Sequence, residues 1–449
     1  MDRYDLVIIG AGPAGEAAAF VARKRGASVA VIDRDLFGGA CPFFACMPSK
    51  SLLHSAAVHT AGGDYPWPKA SARRDWMISR ENRDYPDDSH HKTDLETAGA
   101  VTMRGSARLD GPGRVVVTHE GVEHQLEAGA VILAVGSGSK IPDMPGLAEV
   151  PYWTNRDATG TRELPESLLV LGAGPTGVEL AQAYARFGVP VTLVVPGDRI
   201  LPRDHPRTSA AVAAGLDRDG VVIRTGGRAV RAEAGAGTNG RHRFVLEDGG
   251  TVEGAAVLLA IGRTLPLGDV GLETVGLDAS SGRLAPDAQL RVAPGLFVAG
   301  DPAGPEMHTH VSHYQGEMAA RIALGDDVTP DYRAIPRAVY TDPETGSVGL
   351  LLEEALGRGI DAKEFTADLA TSAKGYAAEA AGHVTIVVDR AAGTVIGAFI
   401  AGPGASEAIH EAVLAVKLQT PLTVLADTIH AFPTVARVLG FLFIEAAGG

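Results

Sequence analysis

The stretch "DLVIIGAGPAGEAAAFVARKRGASVAVIDR", Asp5 to Arg34, decides the fold. An apolar run, Leu6 to Ile9, reads as a buried strand, the glycine-rich Gly10 to Gly15 as a turn, the alanine-rich segment after it as a helix, and Ser28 to Ile32 as a second strand. This order is that of a dinucleotide-binding unit. Gly10 allows the tight turn, Gly12 lets backbone approach a pyrophosphate, and Gly15 permits close packing of helix on sheet. Pro13 and Ala14 open the helix, whose first N–H groups are offered to the anion. Asp33 closes the unit where a carboxylate accepts hydrogen bonds from ribose hydroxyls.

The same device recurs in "SLLVLGAGPTGVELAQAYARFGVPVTLVV", Ser167 to Val195, with Gly172, Gly174 and Gly177 in the turn. Here the second strand ends on Val195 and not on an acid. A carboxylate at that point would hold the 2′-hydroxyl of NAD and repel the 2′-phosphate of NADP, so its absence favours NADPH over NADH. Arg199 and Arg203 follow, either as phosphate contacts or as solvated loop charges.

Outside these units, 449 residues suggest about three domains. A formal charge of −14 with no basic run argues against nucleic acid as a partner. No apolar stretch approaches the length of a membrane span, and the N-terminus runs straight into the first strand, which predicts a cytoplasmic protein. In that reducing compartment the chain's two cysteines, Cys41 and Cys46, are expected to be redox-active or metal-binding rather than a structural disulfide. With no Cys/His cluster beside them they make a poor zinc site. They sit in "GGACPFFACMPSK", Gly38 to Lys50, just after the first dinucleotide unit.

This segment resembles the active-site motif of the class I flavoprotein disulfide oxidoreductases, two cysteines with four residues between them followed by Pro-Ser-Lys. "VILAVGSGSKIPDMPG" (Val131 to Gly146), "VLLAIGRTLP" (Val257 to Pro266), "LFVAGD" (Leu296 to Asp301) and "YTDPETGSVG" (Tyr340 to Gly349) extend the resemblance over nearly the whole chain. It implies an α/β protein with two Rossmann-like dinucleotide-binding domains plus a C-terminal α+β dimerisation domain. The implied boundaries are an FAD-binding domain over 1–150 and 265–334, an NAD(P)-binding domain over 151–264 and a dimerisation domain over 335–449. The Pro-rich stretch "IPDMPGLAEVP" before the second glycine unit agrees with that division.

By the same resemblance FAD lies on Gly10, Gly12, Pro13, Ala14, Gly15, Asp33, Gly39 and Ala40, with Gly105 and Ala107 near the adenine. Gly136, Ser137, Gly300 and Asp301 complete its cradle, and Met307, His308 and Thr309 begin a helix whose N–H groups face the reduced flavin. NAD(P)H lies on Gly172, Gly174, Gly177 and Gly262, with Arg199 a candidate phosphate contact. Cys46 faces the flavin, with a helix starting near Met47 to stabilise its thiolate, and Cys41 faces the substrate. Lys50 resembles the family lysine beside the flavin, and Glu179 the glutamate paired with it. His308, His310 and His313 fall at the flavin-facing helix start, so no metal site is expected there. The absence of cysteines after Cys46 argues against a mercuric reductase or a large thioredoxin reductase.

The resemblance breaks in "TIHAFPTVAR", Thr428 to Arg437. Family reductases place there a histidine before Pro-Thr and a glutamate five residues later, a proton-transfer pair delivered to the partner subunit's site. Here those positions hold Phe432 and Arg437. His430 stands two residues earlier, where the family carries a second histidine outside the proton-transfer role, and reads either as a packed or solvent-facing residue or as a substitute donor. The replacement, with the Cys-Pro-x-x-Ala-Cys wording, resembles the 2-ketopropyl coenzyme M oxidoreductase/carboxylases, which cleave a thioether and trap a carbanion. Retention of Pro-Ser-Lys resembles ordinary reductases instead. Three functions stay open. The first is a homodimeric FAD and NAD(P)H enzyme that cleaves a disulfide or C–S bond of a small thiol-type substrate in a site shared between subunits. The others are an NAD(P)H:quinone or small-acceptor reductase and a non-catalytic flavin- and nucleotide-binding protein.

Overall fold

The computed structural model describes residues 2–79, 86–280 and 282–448. Its contacts divide into two compact units, Met1–Ser51 with Ser71–Lys140 and Gly262–Asp331, and Leu52–Ala70 with Ile141–Ile261 and Tyr332–Gly449.

In the first unit the run Leu6 to Ile9 lies in the strand Asp2–Ile9, at the heart of the parallel part of a mixed sheet. Neighbouring strands are Val122–Leu133 on one side and Val29–Asp33 on the other, followed outward by Leu296–Val298 and Val101–Arg104. Strands buried on both faces read as unbroken apolar runs, and Leu6, Val7 and Ile8 are fully buried. The helix Pro13–Lys24 covers one face and packs against the helix Thr309–Ala323. Their approach depends on Gly316, where a Cβ would lie 2.1 Å from the carbonyl oxygen of Ala14. This topology brings the C-terminal ends of four adjacent parallel strands to one sheet edge. Gly10, Asp33, Gly136 and Gly300 each follow or end one of those strands and so converge there.

The second unit contains a four-stranded parallel sheet in the order Val222–Arg224, Val191–Val194, Leu168–Leu171, Ala256–Leu259, with the helix Pro175–Arg186 after its glycine turn. A five-stranded antiparallel sheet runs Arg337–Val339, Thr345–Gly349, Thr394–Ala401, His383–Asp389, Ala362–Asp368. The helices Ala405–Leu418 and Val435–Gly448 share one core with it.

The compact units are cut at Lys140/Ile141, Ile261/Gly262 and Asp331/Tyr332, and also at Ser51/Leu52 and Ala70/Ser71. The segment Leu52–Ala70 belongs with the second unit because Trp67 is buried there. Its ring packs 5.7 Å from that of Tyr184 and 5.2 Å from that of Phe187, and its Nε1 donates to the carbonyl of Arg162 at 2.9 Å. Among the described residues no helix is long and apolar enough to cross a membrane.

Candidate active site

Cys41 lies in the short helix Ala40–Phe44, and Cys46 begins the helix Cys46–Thr60, one residue earlier than the start expected near Met47. The glycine pair before them sets where they sit. Gly38 and Gly39 take φ of +93° and +69°, and a Cβ on Gly39 would come within 2.7 Å of the Cα of Gly12. Two glycines therefore let the cysteine segment lie directly on the first dinucleotide turn. The Cys46 sulfur is 3.3 Å from the hydroxyl of Thr309, the first residue of the helix Thr309–Ala323. A helix N-terminus favours negative charge, so this contact suits a thiolate on Cys46. Both cysteines are free thiols. The Cys41 thiol is pushed well up, first by its hydrogen bond with Cys46 and then by burial. In a dithiol that shares a proton, these effects keep the proton on Cys41.

The two outer glycines of the first turn are fixed by the protein itself. A Cβ at Gly10 would meet the Ala134 carbonyl oxygen at 2.2 Å, and one at Gly15 the Gly10 oxygen at 1.9 Å. Gly12 is different, since a Cβ there would meet nothing closer than the Cα of Gly39, at 3.8 Å. The space in front of Gly12 fits a pyrophosphate. The Asp33 carboxylate accepts from the Ala11 N–H and from the Asp35 N–H, each at 2.7 Å, and so ties the turn to the strand end. Burial raises its pKa, and the two N–H bonds oppose that rise. Each carboxylate oxygen accepts more than one hydrogen bond, so ribose hydroxyls remain within its capacity. Gly105 donates its N–H to the Asp33 carbonyl at 2.9 Å, with Ala107 on the following strand Ser106–Leu109.

Asp301 is engaged on two sides, accepting from the Ser137 hydroxyl and pairing with Arg263 at 3.2 Å. Arg263 follows Gly262, which accepts at its carbonyl from the Lys140 N–H at 2.9 Å, and it had no role in the sequence reading. Gln315 was missed as well. Fully buried on the helix Thr309–Ala323, it accepts from the Gly300 N–H at 2.9 Å and donates to the Gly304 carbonyl. His308 caps this helix, pairs with Glu306 at 3.0 Å and stacks on His310 with ring centroids 5.1 Å apart. Met307 is exposed just before it. The glycine cradle, the acid at the strand end and the helix N-terminus together fit FAD.

Lys50 and Glu179 lie in different compact units. Lys50 donates from Nζ to Ser49 Oγ at 3.4 Å. Glu179 is buried and accepts from the Tyr340 N–H at 3.0 Å. In the second glycine turn the pattern of the first is repeated, with a Cβ 2.3 Å from the Ala260 oxygen at Gly172, 2.0 Å from the Gly172 oxygen at Gly177, and no atom within 4 Å at Gly174. Arg199 spends donors on its own loop, at 3.2 Å to the Asp204 carbonyl and 2.8 Å to that of Pro202.

Phe432 is 72% exposed. With Arg437, Lys374 and Phe441 it lines a cavity of about 280 Å³, in which the Arg437 guanidinium stacks 4.4 Å from the Phe441 ring centre. His430 is packed inside the domain. Its Nε2 lies 2.7 Å from Glu411 Oε1, its side chain is only 4% exposed, and its ring abuts Gly440, where a Cβ would lie 2.6 Å from Nδ1. That Nδ1 has no hydrogen-bond partner among the described residues. Glu411 stands nineteen residues before His430, on the helix Ala405–Leu418, while His430 lies between helices, so no local motif announces the pair.

Comparison with known proteins agrees with this architecture. The chain is 32% identical to a dihydrolipoyl dehydrogenase of Halobacterium salinarum over 96% of its length and 94% of the relative's. It is 31% identical to a mercuric reductase of Streptomyces lividans over 97% and 94%. The crystal structure of LpdA from Mycobacterium tuberculosis superposes with a TM-score of 0.87 at 29% identity, covering 99% of each chain. A flavoprotein disulfide reductase of Escherichia coli, RclA, superposes at 0.89 with 24% identity over 99% of this chain and all of the other, which shows the fold alone. The pyridine nucleotide-disulphide oxidoreductase pattern matches residues 4–316 and its dimerisation domain matches 335–440, and the chain belongs to this family of FAD-containing enzymes.

Proposed function

We propose that the protein uses NAD(P)H, with NADPH favoured, to cleave a disulfide or C–S bond in a small thiol-type substrate through the Cys41–Cys46 pair. The observation that carries this reading is the dithiol itself. Its two sulfurs share a hydrogen bond, they lie on the dinucleotide turn, and Cys46 meets the first residue of a helix. When bound, FAD supplies the relay of an electron pair from reduced pyridine nucleotide to the cysteines. Cys46 holds negative charge at the helix N-terminus, while Cys41 keeps the proton until it attacks substrate. The active form is a homodimer in the cytoplasm, in which Thr428 to Arg437 of one subunit faces the other's Cys41. Phe432 and Arg437 there leave the site without the family's His–Glu pair.

Thiol titration tests this directly, because the chain has no other cysteine. Two thiols are expected after NADPH reduction and none in the oxidised protein. Cys41→Ser and Cys46→Ser should each abolish NADPH-dependent disulfide reduction. If both variants keep full turnover with every acceptor, including quinones, electrons bypass the pair and the quinone-reductase reading replaces this one. A preparation that binds flavin and nucleotide yet turns over no acceptor leaves the non-catalytic reading.

A further inference from the structure

We propose that Gln315 is a positioning residue for the cofactor, holding Asp301 where its carboxylate meets a hydroxyl of FAD. The inference rests on the reading of Asp301 as an FAD contact and assigns the residue that places it.

Asp301 opens a single 3₁₀ turn, Asp301–Ala303, bounded by Gly300 and Gly304 with φ of +78° and +62°. Glycine takes either sign of φ at little cost, so a turn hinged on two glycines has little conformational preference of its own. Gln315 supplies what the turn lacks. Its Oε1 accepts from the Gly300 N–H at 2.9 Å and its Nε2 donates to the Gly304 carbonyl, so one amide closes the turn across both glycines. These partners also fix which way the amide points, because a backbone N–H only donates and a carbonyl only accepts. Gln315 is fully buried, and water does not compete for either contact.

The glutamine is itself held in place. Next to it on the helix Thr309–Ala323 is Gly316, where a Cβ would lie 2.1 Å from the Ala14 carbonyl oxygen, so this helix lies directly on the dinucleotide helix Pro13–Lys24. A Cβ at Gly300 would lie 3.3 Å from the Ala14 Cβ and 3.4 Å from Ser312 Oγ. The turn is thereby registered against the same backbone that follows Gly12.

The carboxylate is steadied from another side. Ser137 donates its hydroxyl to Asp301 Oδ2, and Arg263 reaches the same oxygen at 3.2 Å. Among the described residues both side-chain contacts fall on Oδ2, which leaves Oδ1 to accept from a ligand hydroxyl. A turn closed in advance spares FAD the cost of ordering it on binding. An amide suits this task better than an acid. An ionised glutamate at 315 would accept from Gly300 but turn a second acceptor on the Gly304 carbonyl, whereas a protonated one would restore both contacts.

The test follows FAD leaving diluted full-length holoenzyme, read as the return of free-flavin fluorescence. Asp301→Asn should weaken FAD binding. Gln315→Leu, which removes both ends of the amide, should weaken it at least about tenfold, the cost of ordering one turn residue on binding. Because Gln315 acts through Asp301, the double variant should lie within about twofold of the weaker single variant, as expected of coupled residues. Gln315→Glu gives a second readout and carries the test alone if Gln315→Leu does not fold. Relative to wild type at each pH, its FAD affinity should fall as pH rises through the titration of the buried carboxyl. Losses that multiply in the double variant, or a Gln315→Glu ratio that does not change with pH, would overturn the assignment. If Asp301→Asn holds FAD as tightly as wild type, the reading of Asp301 falls and the inference with it. If Asp301→Asn loses FAD and Gln315→Leu does not, the inference alone fails.

Discussion

At Gly177 a Cβ would lie 2.0 Å from the Gly172 carbonyl oxygen, whereas at Gly174 it would meet no atom within 4 Å. The two glycines therefore answer different demands, one from the fold and one from the ligand. Gly177→Ala forces the helix Pro175–Arg186 away from its sheet and should cost roughly 1–3 kcal/mol or more, read as a lower denaturant midpoint. Gly174→Ala leaves the fold untouched and puts a methyl group where a pyrophosphate would lie, so it should keep the same midpoint and raise KM for NADPH severalfold. A Gly174→Ala variant with unchanged KM would remove the pyridine nucleotide from this turn. Such residues are legible in sequence because turn, strand and helix lie within thirty positions. Asp33 was legible as an acid at a strand end, but its bonds to Ala11 and Asp35 required the folded turn. Nothing local marks Glu16 and His91, which lie 75 residues apart, as partners.

Between elements, the second unit contains a polar junction that no motif signals. The helix Pro206–Arg218 meets the antiparallel sheet through Thr208, whose hydroxyl lies 2.9 Å from His383 Nε2, while His383 Nδ1 lies 2.9 Å from the Thr385 hydroxyl. Beside them His205 Nε2 is 3.1 Å from Glu364 Oε2. Burial pushes the His383 pKa down to about 3, with the nearby charges of His205 and Arg207 adding to it. The threonine hydroxyls rotate to accept as readily as to donate, so protonation is opposed by burial and charge rather than by lost hydrogen bonds. Between the ordinary histidine value of about 6.5 and the folded value, the unfolded chain binds a proton that the folded chain does not. Stability should therefore fall as pH falls through that window, by about 1.4 kcal/mol per pH unit from this group. Denaturant midpoints measured against pH should show a shallower slope in His383→Gln than in wild type, and identical slopes would show that His383 titrates normally. The sequence displayed the order of glycine units and the family motifs but not this junction, nor the transfer of Leu52–Ala70 to the second unit through Trp67. Each is made by side chains that only the tertiary fold brings together.

For the whole molecule, the dimerisation domain presents Ile429, Phe432, Phe441 and Ile444 as exposed apolar side chains, suited to burial against a second subunit. If the segment Thr428 to Arg437 meets the partner's redox site, a proton-transfer pair restored there should speed disulfide reduction at the partner's cysteines. The local geometry allows such a pair. Thr434 Oγ1 accepts from the Arg437 N–H at 3.0 Å at the start of the helix Val435–Gly448, and positions 432 and 437 line the same cavity. An imidazole introduced at 432 alone would face the Arg437 guanidinium, which opposes its protonation and offers it no acceptor. Phe432→His alone should therefore raise lipoamide activity little. Phe432→His with Arg437→Glu should raise it at least about tenfold, since a carboxylate orients the ring and stabilises its cation. Sedimentation must show a dimer in each variant, because the gain acts only across the subunit boundary. A dimeric double variant no faster than wild type would mean that the C-terminal segment does not reach Cys41 of its partner, and Phe432 would then be an interface residue with no part in the chemistry.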